Sequence, residues 1–119
     1  MSAERLVEDA LNDILGAARK AIEFVAETNS ENLADDDKTE YAVIRALEIV
    51  GEAARRVSQS FREEHPNVPW SEMAGMRDKL IHDYFGVDLD VVLKTVREDL
   101  PPLISSIQAI IASDPDNTA

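Results

Sequence analysis

Apolar residues recur every three or four positions along almost the whole chain, and no stretch alternates for long enough to suggest a strand. From about Glu4 to Ala26, Val7, Leu11, Ile14, Ala18, Ala21, Ile22 and Val25 keep helical spacing, which predicts a long amphipathic helix with an acidic outer face. The polar run ETNSENLADDD then reads as a loop. Asp36 or Asp37 is placed to cap a second helix with Glu40 in its first turn.

That second helix is expected from about Lys38 to Phe61, with Ile44, Leu47, Val50, Gly51, Ala54, Val57 and Phe61 towards the core. A mid-helix glycine costs about 1 kcal/mol relative to alanine, so Gly51 points to a close approach by another helix. Arg45, Glu48, Glu52, Arg55 and Arg56 gather on the opposite side, where Glu52 and Arg56 have the spacing of a surface ion pair. Pro66 and Pro69 mark the turn that stops this helix.

The stretch PWSEMAGMRDKLIHDYFGVD predicts a third helix, with Ser71 as its N-cap and Gly86 at its end. Met73, Met76, Leu80, Ile81 and Tyr84 form its apolar stripe. Arg77 falls inside that stripe, four residues after Met73 and four before Ile81. A guanidinium keeps its charge and is costly to bury alone, so Arg77 needs a carboxylate, a wet cleft or a second subunit. Glu48 or Glu52 could supply the carboxylate, although both also fit a solvated ladder.

Asp88 is expected to cap a fourth helix, LDVVLKTVRED, with Leu89, Val92, Leu93 and Val96 on one face. Pro101 and Pro102 end or kink it, and a fifth helix follows with Leu103, Ile107, Ile110 and Ile111 apolar. The expected architecture is all-α, an antiparallel bundle of four or five helices in one domain over residues 1–113. Residues 114–119 should fray.

Composition narrows the function classes. The 119 residues hold no Cys, which removes disulfides, thiolate metal sites and cysteine nucleophiles. The N-terminus is acidic without a signal-peptide core, and no apolar run reaches membrane-spanning length, so a cytoplasmic protein is expected. A net charge of −12 argues against holding nucleic acid by an overall field, and no DNA partner is expected. The charge is uneven, however. Residues 1–40 carry −7, residues 88–119 carry −4, and residues 41–87 only −1, with six Lys/Arg against seven Asp/Glu. Arg45, Arg55, Arg56, Arg62, Arg77 and Lys79 leave room for a local basic groove in that middle third, while salt bridges on solvated helix faces are the expected use of most of them.

Candidate chemistry concentrates there too. Asp78 and His82 are four apart and share a helix face, so the carboxylate could orient and charge-stabilise the imidazole. Arg77 and His82 are five apart, about 140° around a straight helix, and one helix cannot easily aim both at one phosphate. Either the last turn distorts before Gly86, or a two-fold mate completes the site. His65, between Glu64 and Pro66, reads as structural, and Trp70 as a core plug at the start of the third helix. The two His have no metal-ligand spacing, no Gly-rich phosphate loop is present, and the Ser residues sit at caps or helix ends.

The run Arg77-Asp78-x3-His82-x-Tyr84 resembles the Arg-x4-His-x-Tyr motif of HEPN domains, specifically the small HepT-like toxins. RALEIVGEAARRVS, the PW pair, DYFGVD and VREDLPPL are similar to that family in the same order, so the resemblance spans about Tyr41 to Leu103. Asp78 departs from it, since the family often has Asn there.

The resemblance implies a homodimeric, metal-independent endoribonuclease without a cofactor. Arg77 would hold the scissile phosphate of an RNA substrate, His82 would act as general acid or base, and Asp78 would orient it. Tyr84 would accept AMP from a separate MNT-type nucleotidyltransferase antitoxin. The alternative within the same fold is a non-catalytic HEPN module that partners a nucleotidyltransferase or binds nucleotides.

Overall fold

A computed structural model describes residues 3–76, 78 and 88–113, and all regular structure among them is helical. Helix α1 (Ala3–Phe24) is the central element. Ala10, Ala17, Ala18 and Ala21 are buried along it, and such short side chains let neighbouring helices approach closely. Between them Leu11, Ile14 and Leu15 fill the core.

A short helix α2 (Ser30–Ala34) stands where a loop was expected. The Asn29 side chain caps it by accepting the Asn32 N–H at 2.8 Å, and fully buried Leu33 anchors it. Five residues rarely hold a helix by propensity, so Leu33 burial, worth about 2 kcal/mol, is its main support. Helix α3 (Asp37–Arg55) then returns along α1. Asp36 caps it as expected: Oδ1 accepts the Thr39 N–H at 3.2 Å and Oδ2 the Thr39 hydroxyl at 2.6 Å.

The expected single helix from Lys38 to Phe61 is in fact two. α3 stops at Arg55, and α4 (Gln59–Glu64) begins after Ser58 caps the Phe61 N–H. The break is held by Arg62, which reaches back so that Nη2 donates to the Ala54 carbonyl at 2.7 Å and Nε to the Val57 carbonyl at 3.1 Å. These charge-assisted bonds satisfy carbonyls that the helix end leaves open.

Helix α5 (Trp70–Ala74) starts two residues earlier than expected. Pro69 occupies the N-cap and Ser71 lies inside, its carbonyl accepting the Gly75 N–H. Trp70 is the core plug, with its Nε1–H donating to the His65 carbonyl at 2.9 Å. Phe61 packs against both rings, 4.6 Å from His65 and 6.2 Å from Trp70 between centroids, which bears out the structural reading of His65.

Asp88 caps α6 (Leu89–Lys94) by accepting the Asp90 and Val91 N–H groups. The prolines do not end helical structure. A π turn (Thr95–Asp99) joins α6 to α7 (Leu100–Ser113), and the Leu100 N–H reaches the Thr95 carbonyl, five residues back. In a regular α-helix the Pro101 ring would meet the Arg97 carbonyl, and the wider turn relieves that conflict. Arg97 uses the turn to donate to the Val25 and Thr28 carbonyls, closing the C-terminal end of α1. α7 packs against α1 to complete one hydrophobic core.

Candidate active site

The site rests on the contact between α3 and α5. Gly51 is buried in α3, and a Cβ there would stand 3.0 Å from the Met73 carbonyl oxygen and 3.6 Å from that of Ala74. Backbone yields less readily than a side chain, so a Cβ here would press α5 away by a few tenths of an ångström, and glycine suits this approach. Met73 and Met76 are buried beside it, which matches the apolar stripe expected of this segment. α3 thus fixes the ridge from which the motif begins.

Of the motif, Asp78 is described: it is helical and exposed. An exposed carboxylate at this point lies off the buried stripe that holds Met73 and Met76. Arg77, His82 and Tyr84 lie outside the described residues, as do Leu80, Ile81 and Gly86. The geometry between Arg77 and either glutamate on α3 therefore lies outside them as well.

The two glutamates differ in setting. Glu52 is exposed and paired with Arg45, Oε1 to Nη1 at 3.1 Å, across two helical turns. This replaces the expected Glu52–Arg56 pair. Arg56 instead reaches Asp13 on α1 at 2.6 Å, because its position past the last turn of α3 turns it towards that helix. Glu48 is half-buried on the same side of α3 and has an interaction of its own. Exposed pairs such as these contribute little to stability and mainly order the surface.

A groove of about 380 Å³ opens at the start of α5, lined among others by Arg62, Glu63, Pro66, Pro69, Trp70 and Glu72. Arg62, the one cation among its described lining residues, spends Nε and Nη2 on the end of α3. Among the described residues no group of three or more His, Asp or Glu could hold a metal ion.

Sequence reading missed two arginines that set the frame. Arg62 and Arg97 both hold helix C-termini, and Arg97 does so across 72 residues of chain. For Arg62 a local signal existed, an arginine within eight residues of a helix end. For Arg97 none did, because its partners are brought to it only by folding.

Comparison with known proteins agrees with this frame. A family model described as Ribonuclease HepT-like matches residues 14–110. A "Probable ribonuclease HepT" of Thermococcus cleftensis is 52% identical over 100 residues, covering 84% of this chain and 91% of that protein. "Putative RNase MJ1380" of Methanocaldococcus jannaschii is 44% identical over 108 residues, covering 91% of this chain and 99% of that one. "Gamma-glutamylcyclotransferase and putative RNase MJ0434" of the same organism is 41% identical over 105 residues, 85% of this chain but 46% of its own length. No solved structure matches at a significant level. With the match running from the second half of α1 through most of α7, and the first two relatives similar across nearly their full length, the chain belongs to the HepT-like ribonuclease family.

Proposed function

We propose that the chain is the toxin of a toxin–antitoxin pair, a metal-independent endoribonuclease acting in the cytoplasm. The observation that carries this reading is that Arg77-Asp78-x3-His82-x-Tyr84 stands intact inside residues 14–110, the span matched to the ribonuclease family. Residues 1–113 act as one domain in this reading, and two copies build a composite site. Arg77 neutralises the scissile phosphate, and His82 moves the proton as a ribose 2′-hydroxyl attacks phosphorus and the P–O5′ bond breaks. Asp78 orients the imidazole, and Glu48 or Glu52 steadies Arg77.

Tyr84 is the hydroxyl that an MNT-type nucleotidyltransferase antitoxin caps with AMP. A bound phosphodiester beside Arg77 and His82 competes for the cation that RNA needs, which gives the silencing its physical basis.

A second reading is favoured by the net charge of −12, which repels RNA. In it the chain is a non-catalytic HEPN module that partners a nucleotidyltransferase or binds nucleotides. Purified wild type should cut RNA, with His82→Ala and Arg77→Ala each at least about 100-fold slower. If wild type neither arrests growth nor cuts RNA without its partner, the nuclease reading falls and the binding module stands. Intact mass after co-expression with the nucleotidyltransferase should rise by one adenylyl group, and Tyr84→Phe should abolish the rise.

A further inference from the structure

Tyr41 is 73% exposed on the outer side of α3, the most open of the large apolar side chains among the described residues, ahead of Leu6 at 50% and Phe24 at 39%. It has no part in the core, and the α3 cap is made by Asp36 and Thr39 without it. One turn away on either side stand Asp37, Lys38, Ile44 and Arg45. Arg45 is itself paired with Glu52 at 3.1 Å, so two cations meet two acids and the ring lies on a neutral patch of a chain that carries −12. Ile44, half-buried, adds apolar surface beside it.

We propose that the Tyr41 ring is a stacking platform for one unpaired base of the RNA, a substrate contact outside the Arg77 motif. The proposal rests on the nuclease reading above and deepens it by naming the substrate as single-stranded at this point.

Charge is the first argument. A chain of −12 gains little from attraction to phosphate, which grows with the number of free cations at the interface. Stacking of a base on an aromatic ring requires no net charge, and every base has a π face to offer. At Tyr41 the neutral surround lets a strand approach, and the ring supplies the attraction. A base inside a duplex is already covered on both faces, whereas an unpaired one can be splayed onto the ring.

Position is the second argument. The chain runs from Trp70, against Phe61 of α4, to Met76 beside Gly51 of α3, and the Arg77 motif follows at once in sequence. Tyr41 precedes Gly51 by ten residues, which is about 15 Å along α3 and about 80° around it. It therefore stands on the flank of α3 next to the seat of α5. From Gly51 to the ring is a few nucleotides of strand, at about 3.4 Å each.

The test compares Tyr41→Ala and Tyr41→Phe with wild type in steady-state cleavage of a labelled single-stranded RNA at low and high salt, with circular dichroism as the check of fold. Tyr41→Ala should raise KM by about tenfold and leave kcat unchanged, since a base held equally in the ground and transition states affects binding alone. The factor should be the same at both salts, because stacking releases no counterion, and Tyr41→Phe should behave like wild type. The same strand annealed to its complement should be cut no better by wild type than by Tyr41→Ala. An unchanged KM in Tyr41→Ala, a loss that shrinks with salt, an equal loss on the duplex, or a Tyr41→Phe as weak as Tyr41→Ala would each overturn the platform and leave the nuclease reading standing. A wild type that cuts no RNA takes both down. If Tyr41→Ala cuts RNA normally and loses a protein partner instead, the ring belongs to that partner and the proposal falls.

Discussion

Gly16 and Gly51 sit in long helices and carry opposite expectations. Nothing lies within 4 Å of a Cβ at Gly16, so Gly16→Ala gains the full helix propensity, about 0.5–1 kcal/mol of added stability. At Gly51 the same gain is opposed by the Met73 carbonyl at 3.0 Å. That contact wins because the obstacle is backbone, and Gly51→Ala should lower stability and Gly51→Leu lower it further. Urea denaturation of the variants decides the matter, and equal gains from alanine at both positions would contradict the close approach.

Arg97 offers a second contrast. Its guanidinium serves two carbonyls of the α1 terminus, so Arg97→Met should cost roughly 2 kcal/mol. Arg97→Lys should recover less than half of it, since an ammonium on a flexible stem lacks the planar fork. The spacing of the motif around Arg77 was legible at this scale, as was Asp36 as a cap. The work of Arg62 and Arg97 was not, because an arginine's partner is chosen by what folding brings within its reach.

Among the elements, caps decided boundaries that periodicity left open. Hydrophobic spacing runs on from Val57 to Phe61, yet α3 stops at Arg55, because Ser58 and Arg62 satisfy the broken ends locally. The reverse holds at Pro101 and Pro102, where a π turn carries helical structure through.

The α3 cap gives a pH expectation. The Asp36 carboxyl lies below its ordinary 3.8, first through the Thr39 hydroxyl, then the Thr39 N–H, with Lys38 adding a little and burial opposing. A lowered folded value means that the cap's contribution is present above the unfolded value and lost as pH falls through the folded one. Wild type should therefore melt higher than Asp36→Ala at neutral pH, and the gap should close as pH drops below about 3.8. A gap that stays constant in acid would show that the charged carboxylate does not act as the cap.

Across the molecule, the net charge of −12 bears on the proposed action on RNA. In the proposed two-copy site, with Arg77 of each copy as the contact to phosphate, the salt slope for single-stranded RNA should be no steeper than about −1.4, at roughly 0.7 per phosphate. Binding measured across ionic strengths checks this, and a steeper slope would require further cations at the interface. Added salt also screens repulsion by the remaining surface, which flattens the slope further.

Helical class, the central amphipathic α1, the α6 cap at Asp88, the plug at Trp70 and the family motif all follow from local order along the chain. Periodicity, capping chemistry and residue spacing are properties of neighbours, and neighbours are visible in a sequence. Tertiary structure decided the division of α3 from α4, the short helix pinned by Leu33, the partners of Arg56, Arg62 and Arg97, and the close approach of α5 at Gly51. Each of these depends on atoms that the chain order alone does not bring within a few ångströms, and only packing of the core sets them there.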